Sequence, residues 1–258
     1  EVLGQGSFGV VYKQIHKTTG DYRAVKAIDK RLARLDYSRE PLVMAVLVEH
    51  PSLFVQFLEC FEDSQTLYIA MEYFEKGDLT NYIGEPLPQG DVKIISKQIL
   101  EGLKLMHQHG IAHRDIKPAN IFVVSMYPPL IKLGDFGISK RIQPQDTTTF
   151  HTRVSTPVYG APEVLDLDSQ SETSAYTNSV DIWSFGCVIY ELLVRERLFV
   201  TGIQVYEYFH GIRPFPENKL KGLSPPTDDV GILFLKSTLE IQPGDRPTAA
   251  GALGHAWL

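Results

Sequence analysis

A short stretch near the middle of the chain gathers side chains that could carry chemistry. Residues 113–120 read His-Arg-Asp-Ile-Lys-Pro-Ala-Asn, and Asp135-Phe136-Gly137 begins fifteen positions after the asparagine. Several charged and polar groups around one proline do not make a hydrophobic core. Hard oxygen ligands, a proton acceptor and cations suit magnesium and phosphate rather than zinc. The candidate site residues of this stretch are Asp115, Asn120, Asp135, Arg114 and Lys117.

A glycine-rich motif lies near the start of the chain. Gly4-Gln5-Gly6-Ser7-Phe8-Gly9 matches G-x-G-x-x-G, which is a weak signal by itself. A dinucleotide-binding turn would need a helix after the last glycine, whereas residues 10–15 are good strand formers. We therefore predict the tip of a β-hairpin, where backbone N–H groups can approach phosphates. An ordinary flexible hairpin is the alternative interpretation.

A lysine stands inside an apolar segment, Ala24-Val25-Lys26-Ala27-Ile28. Burying its ammonium is costly unless an anion pairs with it. Glu40, on the helix predicted next, and a nucleotide phosphate are both candidates for that anion. Taken by itself, the pattern favours an exposed lysine on an edge strand. The ion pair gains weight only together with the motifs of residues 113–137.

Composition and charge exclude several classes of protein. The chain has 258 residues, 43% of them hydrophobic, and a net charge of −6. Residues 1–75 carry 8 basic and 11 acidic side chains and the remainder carry 17 and 20, so neither part has the basic excess of a nucleic-acid or anionic-membrane binder. With two cysteines, Cys60 and Cys187, we expect two buried free thiols, as suits a reducing compartment. We therefore expect an intracellular protein without a membrane segment.

The predicted elements divide the chain into two parts. Residues 1–75 favour strands, with one helix over Ser38 to Glu49. Beyond them, apolar residues recur at helical spacing from Val92 to Met106, and Ile182 to Val194 is apolar nearly all round, which predicts a buried helix. The boundary between the two parts is predicted at residues 72–77.

Two loops are longer than the minimum. We expect surface insertions between Phe122 and Leu133, which contains Pro128-Pro129, and over Asp166 to Ser174. The chain ends on Ala256-Trp257-Leu258, and we expect it to be one catalytic domain excised from a longer protein.

Together these motifs resemble those of the eukaryotic protein-kinase family, serine/threonine branch, and the resemblance covers essentially the whole chain. It implies an α+β, bilobal fold with a small β-rich N-lobe (1–75) containing one main helix, a hinge (72–77) and a larger, mainly α C-lobe (78–258). It also implies transfer of the γ-phosphate of ATP to serine/threonine hydroxyls of proteins, with Mg²⁺ or Mn²⁺ as the metal.

The resemblance gives the candidate residues their roles. Asp115 resembles the catalytic base, and Lys117 resembles a γ-phosphate contact. Lys26 is similar to the lysine that holds the α- and β-phosphates, and Glu40 to its partner on the helix. The implied magnesium ligands are Asn120 and Asp135.

Further positions match the nucleotide site and the structural anchors of the family. Met71 resembles the gatekeeper, Glu72 to Phe74 the hinge that bonds adenine, and Asp78 the ribose contact. The other implied nucleotide-binding residues are Leu3, Gly4, Gly6, Ser7, Phe8, Gly9, Val11, Ala24 and Phe122. The implied anchors are Glu163 of Ala161-Pro162-Glu163, its ion-pair partner Arg246, and Asp181, which resembles the brace of the catalytic-loop backbone.

Two positions resemble the serine/threonine branch in particular. Lys117 lies two residues after Asp115, and Thr156 is similar to the threonine that bonds the catalytic aspartate and lysine. Arg114 implies a positive site for a phosphate on the activation segment, Ile138 to Gly160. Thr152 is the candidate phosphosite, although ordinary loop polarity is the alternative interpretation of its threonine-rich surroundings.

The chain also departs from the family pattern. Pro41 follows Glu40 directly, which puts the Lys26–Glu40 pair in doubt, and Ala119 stands where many arginine-directed kinases have glutamate. The rival hypotheses are a pseudokinase that serves as a nucleotide-binding scaffold and a small-molecule phosphotransferase of similar fold. We expect protein substrates, an upstream kinase or autophosphorylation in trans, no nucleic-acid partner, and a cytoplasmic or nuclear location.

Overall fold

The chain folds into a β-rich N-terminal part and a mainly helical C-terminal part. The described residues of the first part form five strands and one helix: β1 (Val2–Gly6), β2 (Gly9–Ile15), β3 (Tyr22–Asp29), α1 (Arg39–Leu47), β4 (Phe57–Glu62) and β5 (Thr66–Glu72). The computed structural model describes residues 1–6, 9–31, 39–84, 87–137, 140–141, 158–165 and 178–258.

The five strands form one antiparallel sheet in the order β1-β2-β3-β5-β4. Gly6 pairs with Gly9 at the end of the β1–β2 ladder, so the predicted glycine hairpin is confirmed. Gly9 has φ +152°, and a Cβ there would lie 2.0 Å from the carbonyl oxygen of Ala27. Only glycine allows the start of β2 to lie this close to β3.

Lys26 lies in the middle of the sheet rather than at its edge. It sits opposite Val11 on one side and Ile69 on the other, and 6% of it is exposed. The interpretation of Lys26 as an exposed edge-strand lysine is therefore wrong. An edge position belongs instead to β4, which carries Cys60. Strand β4 is exposed from Leu58 to Glu62, Cys60 included, so the expectation of two buried thiols holds only for Cys187.

Helix α1 ends at Leu47, two residues before the predicted Glu49. Pro41 is its third residue and so falls in the first turn, where the missing N–H would have no helical partner. Met44 and Leu47 are buried and belong to the core that continues into the C-terminal part.

The C-terminal part is built around two long helices. The first buries the apolar series predicted from Val92 to Met106, and the second is buried on nearly every side. Its elements are α2 (Gln89–Gln108), β6 (Ile111–Ala112), β7 (Ile121–Met126), β8 (Pro129–Leu133), β9 (Lys140–Arg141), α3 (Ser179–Val194), α4 (Gly202–Phe209), α5 (Glu217–Lys221), α6 (Asp229–Thr238) and α7 (Ala249–Leu253).

The expected surface insertion between Phe122 and Leu133 is wrong. These residues form the β7–β8 hairpin, in which Phe122 lies opposite Lys132 and Ile131 is buried. Leu133 also exchanges backbone hydrogen bonds with residues 53–55 of the N-terminal part, at 2.9 Å each. The hairpin is therefore part of the core and a junction between the two parts of the chain.

No helix in the described part of the chain is long and apolar enough to cross a membrane. The second predicted insertion, Asp166 to Ser174, lies outside the described residues.

Candidate active site

Three predicted residues meet in the loop between β6 and β7. The Nζ of Lys117 lies 2.7 Å from Oδ2 of Asp115, and the side-chain amide of Asn120 donates to the same oxygen at 2.9 Å. The amide also donates to the backbone carbonyl of Asp115 at 2.8 Å. Asp115 is 8% exposed. A carboxylate held by a cation and an amide is fixed in one orientation, with its charge partly neutralised.

Asp181, near the start of α3, braces this loop from behind. Its Oδ2 accepts the backbone N–H of His113 at 2.9 Å, and its Oδ1 accepts that of Arg114 at 2.7 Å. The imidazole of His107 on α2 contacts Oδ2 at 2.8 Å. Arg114 has φ +70°, so an outside acceptor for its N–H stabilises a strained backbone.

Burial by itself would raise the pKa of the Asp181 carboxyl. Hydrogen bonding and charge from His107 outweigh burial, so the pKa lies below its usual value. The carboxylate is therefore the stable form, and an ionised oxygen accepts hydrogen bonds more strongly than a neutral one.

His113 connects the loop to the Asp135 segment. Its Nδ1 accepts the backbone N–H of Asp115 at 3.3 Å, so Nε2 carries the proton in the neutral ring. Nε2 in turn contacts the carbonyl oxygen of Gly134 at 3.2 Å. One buried ring thus spans the two segments that hold the candidate catalytic aspartate and the candidate metal ligand.

Asp135 reaches across to the N-terminal sheet. Its Oδ1 lies 2.6 Å from the Nζ of Lys26, and its backbone φ is +59°. Phe136 is fully buried, with its ring 6.0 Å from that of Phe54 and 5.4 Å from that of His113. This packing holds Asp135 toward Lys26. Burial would raise the pKa of the Asp135 carboxyl, but the Lys26 charge and hydrogen bond outweigh it and lower the pKa.

Asn120 and Asp135 fit a hard divalent cation. The backbone N–H of Gly134 donates to the carbonyl oxygen of Asn120 at 3.0 Å, so the two segments run side by side. The amide nitrogen of Asn120 is used on Asp115, and this leaves its Oδ1 as an oxygen ligand. An amide oxygen and a carboxylate kept ionised match the ligand preference of Mg²⁺.

Aromatic and apolar side chains line the junction between the two parts. The rings of Phe74 and Phe122 stack with centroids 5.2 Å apart. Ala24 and Met71 are opposite one another in the β3–β5 ladder and are both buried, while Val11 is half-buried against the core. This apolar and aromatic surface, called the slot below, suits a flat aromatic ligand such as a nucleobase.

Asp78 begins the short 3-10 turn Leu79–Tyr82, where its Oδ1 accepts the N–H of Thr80 at 2.9 Å. Its other carboxylate oxygen, Oδ2, takes no hydrogen bond from the described residues. Leu3 and Gly4 lie on the exposed strand β1 at the start of the glycine hairpin.

Glu163 and Arg246 form a bidentate ion pair in the C-terminal part. Nη1 and Nη2 of Arg246 lie 2.6 and 2.9 Å from the two oxygens of Glu163. The remaining guanidinium N–H groups donate to the carbonyls of Ser179, Glu240 and Ile241 at 2.7–3.1 Å. The pair therefore fixes the end of the 158–165 segment against the start of α3.

Some predicted residues lie outside the described part of the chain. They are Ser7, Phe8, Thr152 and Thr156, together with the side chain of Glu40. The Lys26–Glu40 ion pair and the phosphosite therefore stay predictions.

Sequence reasoning missed two contributors to the site. His107 supports Asp181, and Lys132 on β8 holds both carboxylate oxygens of Glu72 at 2.7 Å each. The sequence signal that could have indicated Lys132 is a lysine between two apolar residues, Ile131 and Leu133. No sequence signal distinguishes His107 from other polar residues of α2.

A family model described as "Protein kinase domain" matches residues 1–258. The chain is 35% identical over 274 residues to the serine/threonine-protein kinase RAD53 of Saccharomyces cerevisiae, covering 100% of this chain and 32% of the relative. It is 34% identical to the serine/threonine-protein kinase cds1 of Schizosaccharomyces pombe, covering 99% and 57% respectively.

A solved structure is similar over the whole chain. The crystal structure of Rad53 1-466 in complex with AMP-PNP matches with a TM-score of 0.79 and 35% identity, covering 100% of this chain and 63% of that one. The predicted bilobal α+β fold is thereby confirmed. The chain spans about a third of the length of RAD53 and somewhat more than half that of cds1.

Proposed function

Since the chain belongs to the protein kinase family, we propose that it transfers the γ-phosphate of ATP to serine/threonine hydroxyls of protein substrates. The observation that carries the proposal is the single network joining Asp115, Lys117 and Asn120 to Asp135 and Lys26 through His113. These contacts support a site in which a proton acceptor, cations and oxygen ligands act together. Phosphoryl transfer requires mainly positioning and charge neutralisation.

In the proposed reaction the substrate hydroxyl oxygen forms a bond to the γ-phosphorus. The bond from that phosphorus to the oxygen bridging the β- and γ-phosphates breaks, and ADP leaves with the electron pair. The hydroxyl proton passes to the carboxylate of Asp115, which Lys117 and Asn120 hold in orientation. The ammonium of Lys117 balances negative charge on the moving phosphoryl group.

Lys26 and the glycine hairpin serve the nonreacting phosphates in this proposal. The backbone N–H groups around Gly4, Gly6 and Gly9 approach the triphosphate where a side chain would collide. Lys26 would contact the phosphates as well as Asp135, and its charge keeps the carboxylate of Asp135 ionised. Asn120 and Asp135 would hold Mg²⁺, which neutralises phosphate charge when it is bound.

The base of ATP is proposed to enter the slot between the two lobes. Phe74 and Phe122 provide an apolar wall, and the backbone N–H of Phe74 donates to no acceptor among the described residues, which leaves it for a base nitrogen. Asp78 is proposed as the ribose contact. The similarity to a structure solved with AMP-PNP supports the binding of a nucleotide.

Regulation by the activation segment is part of the proposal. Asp181 fixes the backbone of Arg114 beside the catalytic aspartate, and a cation there would attract a phosphate on Thr152. The phosphate would come from an upstream kinase or from a second copy of the protein. We also propose lobes of 1–75 and 78–258 with the hinge at 72–77, and a location inside the cell, which the unpaired Cys60 and Cys187 support.

The deciding experiment compares the wild-type chain with Asp115→Asn in the transfer of labelled γ-phosphate to casein with Mg²⁺. We expect incorporation by the wild type and a loss of about 10²-fold or more in the variant. Incorporation that survives the substitution would refute Asp115 as the base. No incorporation by the wild type, after treatment with an activating kinase, would favour a nucleotide-binding scaffold.

A further inference from the structure

A bidentate ion pair connects the hinge to strand β8. The Nζ of Lys132 lies 2.7 Å from each carboxylate oxygen of Glu72, and the side chains are 12% and 27% exposed. The backbone N–H of Gln56 also donates to Glu72, at 3.2 Å. A pair this shielded and this well aligned differs from the surface ion pairs that contribute little.

The register of the β7–β8 hairpin directs Lys132 toward the nucleotide slot. Lys132 lies opposite Phe122, and residues opposite one another in an antiparallel pair project to the same face. Phe122 stacks on Phe74, and the Nζ of Lys132 lies 5.7 Å from the Phe74 ring centroid. The lysine therefore passes beside the proposed adenine-binding rings on its way to the hinge.

The same strand carries the proposed metal ligand. Asp135 follows Lys132 by three residues, and the backbone between them is tightly held. Leu133 is hydrogen-bonded to the 53–55 segment, and a Cβ at Gly134 would lie 2.6 Å from Val55. A shift of β8 relative to the hinge would therefore move Asp135 with it.

We propose that Lys132 is a positioning residue for ATP. Its ion pair with Glu72 sets the distance between the hinge, where the base binds, and Asp135, where the phosphates and metal bind. The inference rests on the proposed nucleotide site. Lys132 itself touches neither the phosphates nor the reacting atoms in this account.

The test measures the Kd of AMP-PNP with Mg²⁺ by calorimetry, and the KM for ATP and kcat with casein. We expect Lys132→Met to weaken AMP-PNP binding and raise the KM for ATP three- to tenfold, with kcat changed less than twofold. Lys132→Arg should stay within twofold of the wild type. The charge-exchanged chain Glu72→Lys/Lys132→Glu should recover at least half of the lost affinity. Lys97→Met, an exposed lysine on α2, is the matched control.

Two outcomes would decide against the inference alone. Equal Kd values for the wild type and Lys132→Met would overturn it while leaving the proposed function intact. A fall in kcat and melting temperature with unchanged KM for ATP would show a structural role instead. Should Lys132→Met fail to fold, Glu72→Gln provides the same comparison, since it removes the charge but keeps an acceptor for Gln56. A wild-type chain that binds no AMP-PNP would overturn the proposed function together with this inference.

Discussion

Arg246 meets Glu163 through two parallel hydrogen bonds, at 2.6 and 2.9 Å, although 83 positions separate them in the chain. All five guanidinium N–H groups find an acceptor in or near this pair. The Arg246 side chain is fully buried. A buried charge is stable only when it is paired this completely.

Removing one member of this pair should therefore destabilise the fold strongly. We expect Arg246→Met to lower the free energy of unfolding by about 3–5 kcal/mol, because the carboxylate of Glu163 stays buried without a cation. Arg246→Lys should recover little, since an ammonium cannot make five directed bonds. Urea unfolding of the single variants and of Glu163→Leu/Arg246→Met measures this. The double variant should lose less than Arg246→Met, and an equal loss would contradict the explanation.

Acid should weaken the fold through Asp181 and Asp135. The folded-state pKa of both carboxyls lies below the ordinary aspartate value of 3.8. Each therefore stabilises the fold above pH 3.8, and that stabilisation is lost as the pH falls through the lower folded-state pKa. We expect Asp181→Asn to be less stable at neutral pH and to show a shallower loss of stability in acid. Identical slopes for the variant and the wild type would count against Asp181 as an acid-sensitive brace.

Gly134 has no room for a side chain. An added Cβ would lie 2.6 Å from Val55 and 2.9 Å from the ring of Phe122. We expect Gly134→Ala to cost about 1–3 kcal/mol of stability through overpacking, and to raise the Kd of AMP-PNP because Phe122 must move. The control is Gly244→Ala, where a Cβ meets nothing within 4 Å. Thermal unfolding and AMP-PNP titration of both variants decide the matter, and equal effects would contradict the packing argument.

Thr152→Ala should lower phosphotransfer by roughly an order of magnitude or more, because the phosphate that would order the activation segment cannot form. The measurement is the rate of casein phosphorylation after treatment with an activating kinase. Thr147→Ala, in the same threonine-rich stretch, is the matched control. Equal rates for Thr152→Ala and the wild type would remove Thr152 as the regulatory site.

The family and the order of the elements can be predicted from the sequence alone. Local patterns suffice for this: the glycines before a strand predicted the β1–β2 hairpin, helical spacing predicted α2, and apolarity all round predicted α3. The motifs of residues 113–120 and 135–137 indicated the kinase family and its serine/threonine branch, which the named relatives confirm.

The tertiary structure decided which of those residues meet. Lys26 bonds Asp135 across 109 positions, and Lys132 bonds Glu72 across 60. Such contacts depend on sheet order, strand register and the packing between lobes, and no local pattern encodes them. This is why Lys26 looked like an edge lysine, why residues 122–133 looked like an insertion, and why Lys132 was missed.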